Sequence, residues 1–295
     1  MSDDPSFTTC AYSRAEAGEL SLDVFSPVSN SRRSAVLLFH GGGWRAGAKE
    51  DVHARTAALA AQGFVGIAVQ YRLLDAAPWP APLADAKAAL SWVRNRADEL
   101  GIDPARVAVQ GHSAGGHIAL MTGTVDRQDR PAAIVAFYPP AGFYPAEPPL
   151  PTSPGSPPTR PVAELDDLGQ VPSWILFPPG TADADLIAAS PIAIADAAFP
   201  PTILFHGTAD SAIATAASVA LHQRLNKLGV PSDLHIYAGR DHEFDLAPSM
   251  LEATVAATAS FLDRVVVRRP ELDDEAEQFS FLRLIQAQAL GQQHG

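Results

Sequence analysis

The chain has 295 residues, of which 47% are hydrophobic and 18% are charged. This balance is typical of a protein that buries an apolar core, so it excludes disorder along the whole length. The formal net charge of −12 repels nucleic-acid phosphates and anionic lipid, which disfavours both as partners. Cys10, the single cysteine, cannot form an intrachain disulfide, and it lies too near a terminus that we expect to be unstructured to be a catalytic candidate.

The start of the chain does not resemble a targeting signal. Residues 1–5 are acidic and lack the basic start and apolar core of a secretory signal. The sequence also contains no apolar run long enough to cross a bilayer. We therefore expect no membrane span and, by default, a cytoplasmic protein.

Short apolar runs at 35–39 and 64–69 predict two buried strands. Further strands are predicted, in chain order, at 106–110, 132–138, 202–205 and 233–237. Segments with helical spacing lie between or after them, at 51–62, 82–100, 114–123, 214–228 and 249–266. Repeated strand–helix units imply an α/β fold with a mainly parallel sheet and helices on both faces. Reactive side chains should then lie at the carboxyl ends of the strands. We expect a single domain over residues 1–267.

The segment 139–199 interrupts this alternation. Its first part is crowded with proline, which sustains neither a helix nor a central strand, so it is interpreted as an exposed loop. These prolines include Pro148, Pro149, Pro151, Pro154, Pro157 and Pro158. The remainder carries apolar side chains such as Trp174 and Phe177. An insertion here would lie above the carboxyl edge of the sheet, so a lid over a substrate and a purely structural excursion both fit.

The final segment, 268–295, begins with acidic residues and then places Phe279, Leu282 and Ile285 three residues apart. This spacing predicts an amphipathic helix with an apolar stripe. Docking on the chain's own domain, pairing with a second subunit in a homo-oligomer, and fraying all fit the pattern.

The strongest chemical signal is Gly111-His112-Ser113-Ala114-Gly115, which matches G-x-S-x-G between a predicted strand and a predicted helix. A tight turn at this place exposes the serine in a strained conformation, and small neighbours let the backbones pass. A glycine-rich turn without catalysis is the alternative, but the strand–helix context favours a nucleophile elbow. Ser113 is therefore the candidate nucleophile.

A serine hydroxyl needs an adjacent base, and the base needs a carboxylate that fixes its tautomer. After such an elbow the two partners follow in the order Asp, His, each behind a late strand. Asp210 follows the predicted strand at 202–205, and His242 follows the predicted strand at 233–237. We expect His206 to be structural and to brace the loop that carries Asp210.

The carboxylate has three rivals, Asp183, Asp185 and Asp241. The first two precede the strand that should present the acid. Asp241 is adjacent in sequence to the histidine that it would have to orient from a distance. Asp210 is therefore the preferred candidate.

His40-Gly41-Gly42-Gly43-Trp44 follows the first predicted strand. Consecutive glycines can point several backbone N–H groups into one cavity with no Cβ in the way. Such donors stabilise the oxyanion of a tetrahedral intermediate, and the amide of Ala114, directly after the nucleophile, completes the hole. A phosphate-binding loop is the alternative, but the P-loop lysine and the G-x-G-x-x-G spacing are absent.

Together with Gln70-Tyr71-Arg72-Leu73, these motifs resemble the hormone-sensitive-lipase-like and bacterial feruloyl-esterase-like (BD-FAE-like) branch of the α/β-hydrolases. The likeness spans about residues 35–266. It implies the α/β-hydrolase fold, a serine esterase acting on short-to-medium acyl, acetylated or aryl esters, and no cofactor. It also implies that Gly42 and Gly43 donate to the oxyanion. His112 stands where many hormone-sensitive-lipase relatives have Asp, which is nearer to the feruloyl-esterase-like and formamidase-like members.

Two other functions fit the same residues. An amide-cleaving relative, such as an arylformamidase or a small peptidase, would use the same triad on a poorer leaving group. A non-catalytic ligand-binding protein on this scaffold would often lack a triad member, whereas all three candidates are present. Metal-dependent hydrolysis is disfavoured because neither His-Glu-x-x-His nor clustered Cys/His spacing occurs. We therefore expect a carboxylic ester hydrolase whose partner is a small-molecule ester.

Overall fold

The computed structural model describes residues 6–15, 18–27, 29–145 and 170–280. The strands within these ranges are β1 Thr8–Ala15, β2 Gly18–Phe25, β3 Ala35–Phe39, β4 Val65–Val69, β5 Val107–His112, β6 Ile134–Phe137, β7 Phe143–Tyr144, β8 Val171–Pro172, β9 Thr202–Gly207 and β10 Ser232–Tyr237. Eight of them form one sheet in the order β1-β2-β4-β3-β5-β6-β9-β10, and β7 pairs with β8 separately.

Six strands of the large sheet, β4, β3, β5, β6, β9 and β10, pair in parallel. They are the six strands that the sequence predicts, with bounds that agree within two residues. Every residue of β3, β4, β5 and β6 is buried, as expected for strands that are covered on both faces. The prediction of a mainly parallel sheet is confirmed.

The two N-terminal strands were not predicted. Cys10 lies in β1, while the first five residues of the terminus that we expect to be unstructured lie outside the described residues. β1 pairs antiparallel with β2, which in turn pairs antiparallel with β4. The hydroxyl of Tyr12 in β1 also donates to the backbone oxygen of Gln70 at 2.6 Å. Because β1 lies at the edge of the sheet and is partly exposed, it needs no continuous apolar run, which is the signal that identified β3 and β4.

The helices of the described ranges are α1 His53–Ala61, α2 Ala81–Asn95, α3 Ala97–Leu100, α4 Ala114–Thr122, α5 Asp183–Ala188, α6 Pro191–Ile194, α7 Ala216–Lys227, α8 Pro248–Leu262 and α9 Arg269–Gln278. The predicted helix at 82–100 is divided between α2 and α3. The predicted helix at 249–266 consists of α8 and a following π-helical turn, Asp263–Val267.

Side chains of a strand alternate between the two faces of its sheet, and β3 shows where the helices lie. Leu37 belongs to the core that includes buried side chains of α2, α4 and α7. Leu38 belongs to a second core that includes side chains of α1 and α8. Helices thus cover both faces, as predicted, and the carboxyl ends of the parallel strands meet at one open edge.

The described part of the segment 139–199 packs on the domain. It contains β7, β8, α5 and α6, and Leu176, Leu186 and Phe199 join the core on the face of α4. The buried His117 of α4 donates from Nε2 to the backbone oxygen of Ala189 at 2.7 Å. The proline-rich stretch from Pro148 to Pro158 lies outside the described residues. A lid role for 139–199 therefore stays a prediction, as does the domain boundary at 267.

The C-terminal segment begins with α9, whose residues are largely acidic. Phe279 follows this helix and is 70% exposed, while Leu282 and Ile285 lie outside the described residues. The apolar stripe and its use in a homo-oligomer stay predictions. Within the described ranges every helix is too short or too polar to span a bilayer; the cytoplasmic location stays a prediction.

Candidate active site

Ser113 occupies the turn between β5 and α4, at the carboxyl edge of the sheet. Its backbone is in the left-handed region, with φ 52° and ψ −117°, which is strained for a residue with a side chain. A Cβ on Gly111 would lie 2.0 Å from the backbone oxygen of Gly115, and one on Gly115 would lie 2.2 Å from that of Phe39. Only glycine fits at either position, so the sharp turn depends on this motif.

Ser113, His242 and Asp210 meet at this edge. The Oγ of Ser113 lies 3.0 Å from Nε2 of His242, and Nδ1 of the same ring lies 2.8 Å from Oδ2 of Asp210. Asp241, one of the rival carboxylates, instead accepts from the backbone N–H groups of Ser211 and His242. The structure therefore brings together the three side chains that the sequence singled out.

Asp210 is held by its own loop. Its side chain is fully buried, and Oδ1 accepts from the N–H groups of Ala212 and Ile213 at 2.9 and 2.8 Å. Burial alone would raise the pKa of Asp210, but hydrogen bonding by His206 and His242 and the backbone bond lower it below its ordinary value. An ionised carboxylate thus faces Nδ1 of His242 at neutral pH, which fixes the proton on that nitrogen.

His206 braces the loop, in agreement with its predicted structural role. Its ring is fully buried, and Nε2 lies 3.0 Å from the backbone oxygen of Ile213 and 3.2 Å from Oδ2 of Asp210. Both neighbours accept hydrogen bonds, so Nε2 carries the proton. Nδ1 then accepts from the hydroxyl of Ser218 at 2.7 Å. The ring connects the Asp210 loop to α7.

The glycine loop after β3 lies against Ser113. A Cβ on Gly41 would be 3.4 Å from the Cβ of Ser113, and Gly42 and Gly43 adopt φ values of 107° and 60°. The backbone N–H groups of Gly42, Gly43 and Ala114 have no acceptor among the described residues. Free donors on a glycine loop beside a serine hydroxyl are what an oxyanion site requires.

His40, at the start of this loop, is buried, and its contacts with Tyr71 and Gly41 hold the loop in position. The hydroxyl of Tyr71 donates to the backbone oxygen of His40 at 2.9 Å, and the two rings stack with centroids 4.3 Å apart. Nδ1 of His40 lies 2.7 Å from the backbone oxygen of Gly41. The predicted motif residues His40 and Tyr71 thus support the loop rather than contribute a reactive group.

A cavity of about 360 Å³ opens beside the glycine loop. Its walls include Gly41 and Gly42 on one side and Leu246 and Leu251, around the start of α8, on the other. The rest of the wall is polar in part and includes Arg55 of α1 together with His112, Tyr138, Glu243 and Asp245. The volume is within the range of small-molecule sites, so the cavity can hold part of a small ligand close to the turn that carries Ser113.

One group of residues in the described ranges has side chains close enough for a metal ion, namely Asp23, Glu50 and His53. Nζ of Lys49 already lies 2.5 Å from Oδ1 of Asp23, and Nε2 of His53 lies 2.9 Å from Oδ2. The lysine ammonium therefore supplies the positive charge that the carboxylate needs. The expectation that the protein uses neither metal nor cofactor stays a prediction.

Sequence reasoning missed a second buried carboxylate near His242. Asp245 lies three residues after His242 and bonds to Arg55 and Tyr138. The only local signal is an acidic residue between two hydrophobic ones, Phe244 and Leu246, which is unremarkable in a sequence. Arg55 is 190 residues away in the chain, so their pairing could not be predicted without the fold.

Known proteins resemble the chain in sequence. It is 44% identical over 103 residues to the carboxylesterase NlhH of Mycobacterium tuberculosis, which covers 34% of this chain and 32% of that protein. It is 29% identical over 251 residues to the probable carboxylic ester hydrolase LipM of the same organism, covering 79% and 55%. The chain thus spans about a third of the length of NlhH and just over half of LipM.

Solved structures resemble it in fold. Butyrate-bound esterase 2 of Thermogutta terrifontis superposes with a TM-score of 0.70 at 25% identity, over 89% of this chain and 95% of that one. The fold is therefore that of the α/β-hydrolases, as the sequence predicted. The BD-FAE family model matches residues 22–225, which is more than half of the chain and includes the glycine loop, Ser113 and Asp210. The chain belongs to the BD-FAE family.

Proposed function

We propose that this protein is a serine hydrolase that cleaves carboxylic esters through an acyl-enzyme intermediate. Ser113 is the nucleophile, His242 the general base and Asp210 the carboxylate that orients the base. The observation that carries the proposal is the continuous line of contacts from Ser113 Oγ through both ring nitrogens of His242 to Asp210, at 3.0 and 2.8 Å. That is the arrangement in which a neutral imidazole can take the serine proton.

In the first half-reaction, Ser113 Oγ attacks the ester carbonyl carbon while Nε2 of His242 takes the hydroxyl proton. The tetrahedral intermediate then collapses, and His242 returns that proton to the leaving alkoxide, so an alcohol departs and an acyl-serine remains. In the second half-reaction a water molecule is the nucleophile that attacks the acyl-serine. It gives one proton to His242, its oxygen bonds to the acyl carbon, and the carboxylic acid leaves as Ser113 recovers its proton.

The negative oxygen of both tetrahedral intermediates needs fixed donors. The backbone N–H groups of Gly42, Gly43 and Ala114 are proposed to supply them, since they lack acceptors among the described residues and lie on the loops that flank Ser113. Their backbone geometry is held by the turn of the glycine loop, in which the oxygen of Gly42 accepts from Arg45 and Ala46. Preorganised donors of this kind lose no energy by reorienting during the reaction.

Small esters are the proposed substrates, of short-to-medium acyl, acetylated or aryl type. NlhH and LipM are named as ester hydrolases, and esterase 2 of Thermogutta terrifontis binds butyrate, a four-carbon acid. The cavity of about 360 Å³ beside Gly41 and Gly42 can accept a group of comparable or larger size. Its apolar residues, Leu246 and Leu251 among them, suit a hydrocarbon chain.

The test is hydrolysis of p-nitrophenyl acetate, butyrate and octanoate, with the matched anilides, by wild type and Ser113→Ala. We expect ester turnover to fall by a factor on the order of 10⁶ in kcat when the nucleophile is removed. Ser91→Ala, on the exposed side of α2, is the matched control and should keep full activity.

Each outcome has a definite meaning. Retention of ester turnover by a folded Ser113→Ala protein would refute the proposed nucleophile. Faster cleavage of the anilides than of the esters would replace the esterase by the amide-cleaving alternative. A folded wild type that turns over none of these compounds, yet binds them, would favour the ligand-binding alternative.

A further inference from the structure

Asp245 forms a buried polar cluster that the proposed triad does not use. The residue is 1% exposed, and Oδ1 accepts from the hydroxyl of Tyr138 at 2.5 Å. Oδ2 accepts from Nη2 of Arg55 at 2.8 Å and lies 3.4 Å from Nε2 of His112. Three polar side chains that are distant from Asp245 in sequence therefore meet at its carboxylate. Burying such a cluster is costly, and the bonds from Arg55 and Tyr138 to Asp245 offset part of that cost, while Nη1 of Arg55 and Nδ1 of His112 have no partner among the described residues.

Two of these partners are direct neighbours of the nucleophile. His112 immediately precedes Ser113 in the chain. Tyr138 immediately follows Phe137, whose backbone oxygen accepts from the N–H of Ser113 at 3.0 Å. A displacement of His112 would be transmitted to Ser113 through the peptide bond between them, and one of Tyr138 through Phe137 and its hydrogen bond with the Ser113 N–H.

Tyr138 also contacts the base. Its ring lies 4.4 Å from the His242 ring, measured between centroids, with the two planes at 55°. Its backbone has φ 37°, in the left-handed region that is unfavourable for a bulky residue. The hydrogen bond from its hydroxyl to Asp245 and the backbone bond from its N–H to Phe205 at 2.7 Å hold it in this conformation.

From this arrangement we infer that Asp245 and Tyr138 are positioning residues for the hydrolysis, with Asp245 orienting Tyr138 and Tyr138 holding the His242 ring against Ser113. The inference rests on the proposed function. It adds a second carboxylate to the reaction, one that acts on the base through an aromatic ring rather than by direct contact.

The protonation states support this role. Burial, and then the charge and hydrogen bond of Asp245, raise the pKa of Tyr138 well above its ordinary value, so the phenol keeps its proton and donates it. Burial alone would raise the pKa of Asp245, but the neighbouring His112 and Arg55 and the Tyr138 hydroxyl lower it. A phenol that donates to a carboxylate has an electron-rich ring. Such a ring favours a nearby cation, and His242 becomes a cation each time it takes a proton.

Several charged or titratable groups surround His242 and must be kept constant in any test. Asp210 contacts Nδ1, Ser113 contacts Nε2, and Tyr138 packs on the ring. Asp241 and Glu243 flank it in the chain, and Asp241 accepts from its backbone N–H at 2.7 Å. The variants that test this inference leave the side chains of Ser113, Asp210, Asp241 and Glu243 as they are.

Tyr138→Phe is the decisive variant, because it removes one oxygen and leaves the ring and the Arg55–Asp245 pair in place. We expect kcat for p-nitrophenyl butyrate to fall about tenfold, the loss expected for one hydrogen bond to a charged group, with KM within about twofold. The midpoint of the acidic limb of the kcat/KM profile should move down by about 0.5 pH unit, because the ring stabilises the cation less well.

Tyr237→Phe is the matched control. Tyr237 packs on Phe244 with ring centroids 4.9 Å apart, close to the same region, and its hydroxyl has no hydrogen-bond partner among the described residues. This variant should leave kcat and the pH profile unchanged. A purely structural role for Tyr138 would lower the melting temperature but move neither kcat nor the acidic limb.

Coupling between the two residues is the second test. If Asp245 acts through Tyr138, the double variant Tyr138→Phe/Asp245→Asn should lose no more kcat than Asp245→Asn alone. Additive losses, or an unchanged kcat and acidic limb in Tyr138→Phe, would overturn the inference. Should Asp245→Asn fail to fold, the kcat and pH readouts of Tyr138→Phe decide the question without it. Because Ser113→Ala tests the triad separately, an inactive Ser113→Ala with a normal Tyr138→Phe refutes this inference alone.

Discussion

Asp210 and Asp245 are two buried carboxylates, one before and one after His242 in the chain, and their surroundings differ. Asp210 accepts from the backbone of its own loop and from two imidazoles, those of His206 and His242. Asp245 accepts from a guanidinium on α1 and a phenol after β6. Asp210 is held by its own loop and contacts the His242 ring, whereas Asp245 links side chains from separate elements of the fold. We therefore expect Asp210 to determine the chemistry and Asp245 to determine geometry and stability.

The largest expected effect comes from Asp210→Asn. The amide keeps the size of the side chain but cannot hold the proton on Nδ1 of His242, so kcat should fall by about 10⁴ while the fold is retained. Steady-state kinetics with p-nitrophenyl butyrate and a far-ultraviolet circular dichroism spectrum measure both properties. Asp241→Asn, at the exposed rival carboxylate, is the control and should stay active. Near-normal turnover by Asp210→Asn would remove Asp210 from the triad.

The next effect belongs to Asp245→Asn and should appear in stability. Arg55 is 4% exposed, and without the carboxylate its charge would stay buried with no anionic partner. Breaking one side of a buried ion pair costs about 3–5 kcal/mol of unfolding free energy. Urea denaturation of wild type, Asp245→Asn and Asp241→Asn measures this difference. An Asp245→Asn protein as stable as wild type would show that the cluster does not hold the elements together.

The same contrast explains how much could be predicted from the sequence. Ser113, Asp210 and His242 each follow a strand that the sequence predicts, buried for β5 and β9 and partly exposed for β10, and parallel strands bring their carboxyl ends to one edge. The six parallel strands and the triad candidates were therefore predictable. The antiparallel strands β1 and β2 were not. β1 is a partly exposed edge strand without an apolar run, and in β2 the buried apolar residues Leu20, Leu22 and Val24 are separated by polar ones, so that β2 also lacks a continuous apolar run.

The Asp245 cluster was not predictable for a different reason. Its members lie on α1, at the end of β5, after β6 and before α8, and no local pattern marks Arg55 or Asp245 as buried. A charged residue on a helix, such as Arg55, is ordinarily interpreted as a solvated position. Only the tertiary arrangement shows that Arg55 and Asp245 neutralise one another inside the protein. Local sequence signals identified the side chains proposed to react, and missed those proposed to position them.

The smallest expected effect is on the pH dependence of stability. The pKa values of Asp210 and Asp245 are both lowered in the folded protein, so the unfolded chain binds more protons than the native one as the pH falls. Both carboxylates then stabilise the fold fully above about pH 5, and their contribution is lost as the pH falls through 4 and below. Melting temperatures measured from pH 7 to pH 3 should decline steeply in the lower part of this range.

Substituting each carboxylate in turn should show how much of the acid-induced drop in melting temperature comes from each site. Asp210→Asn cannot titrate, so the drop in its melting temperature between pH 5 and pH 3 should be smaller than that of wild type by about 3 °C. Asp245→Asn should show a similar reduction from a lower starting temperature, because it has also lost the buried pair. A drop identical to that of wild type in Asp210→Asn would mean that Asp210 has the same pKa in the unfolded and native states. That result would contradict the lowered pKa that its hydrogen bonds to His206, His242 and the loop backbone give it in the folded protein.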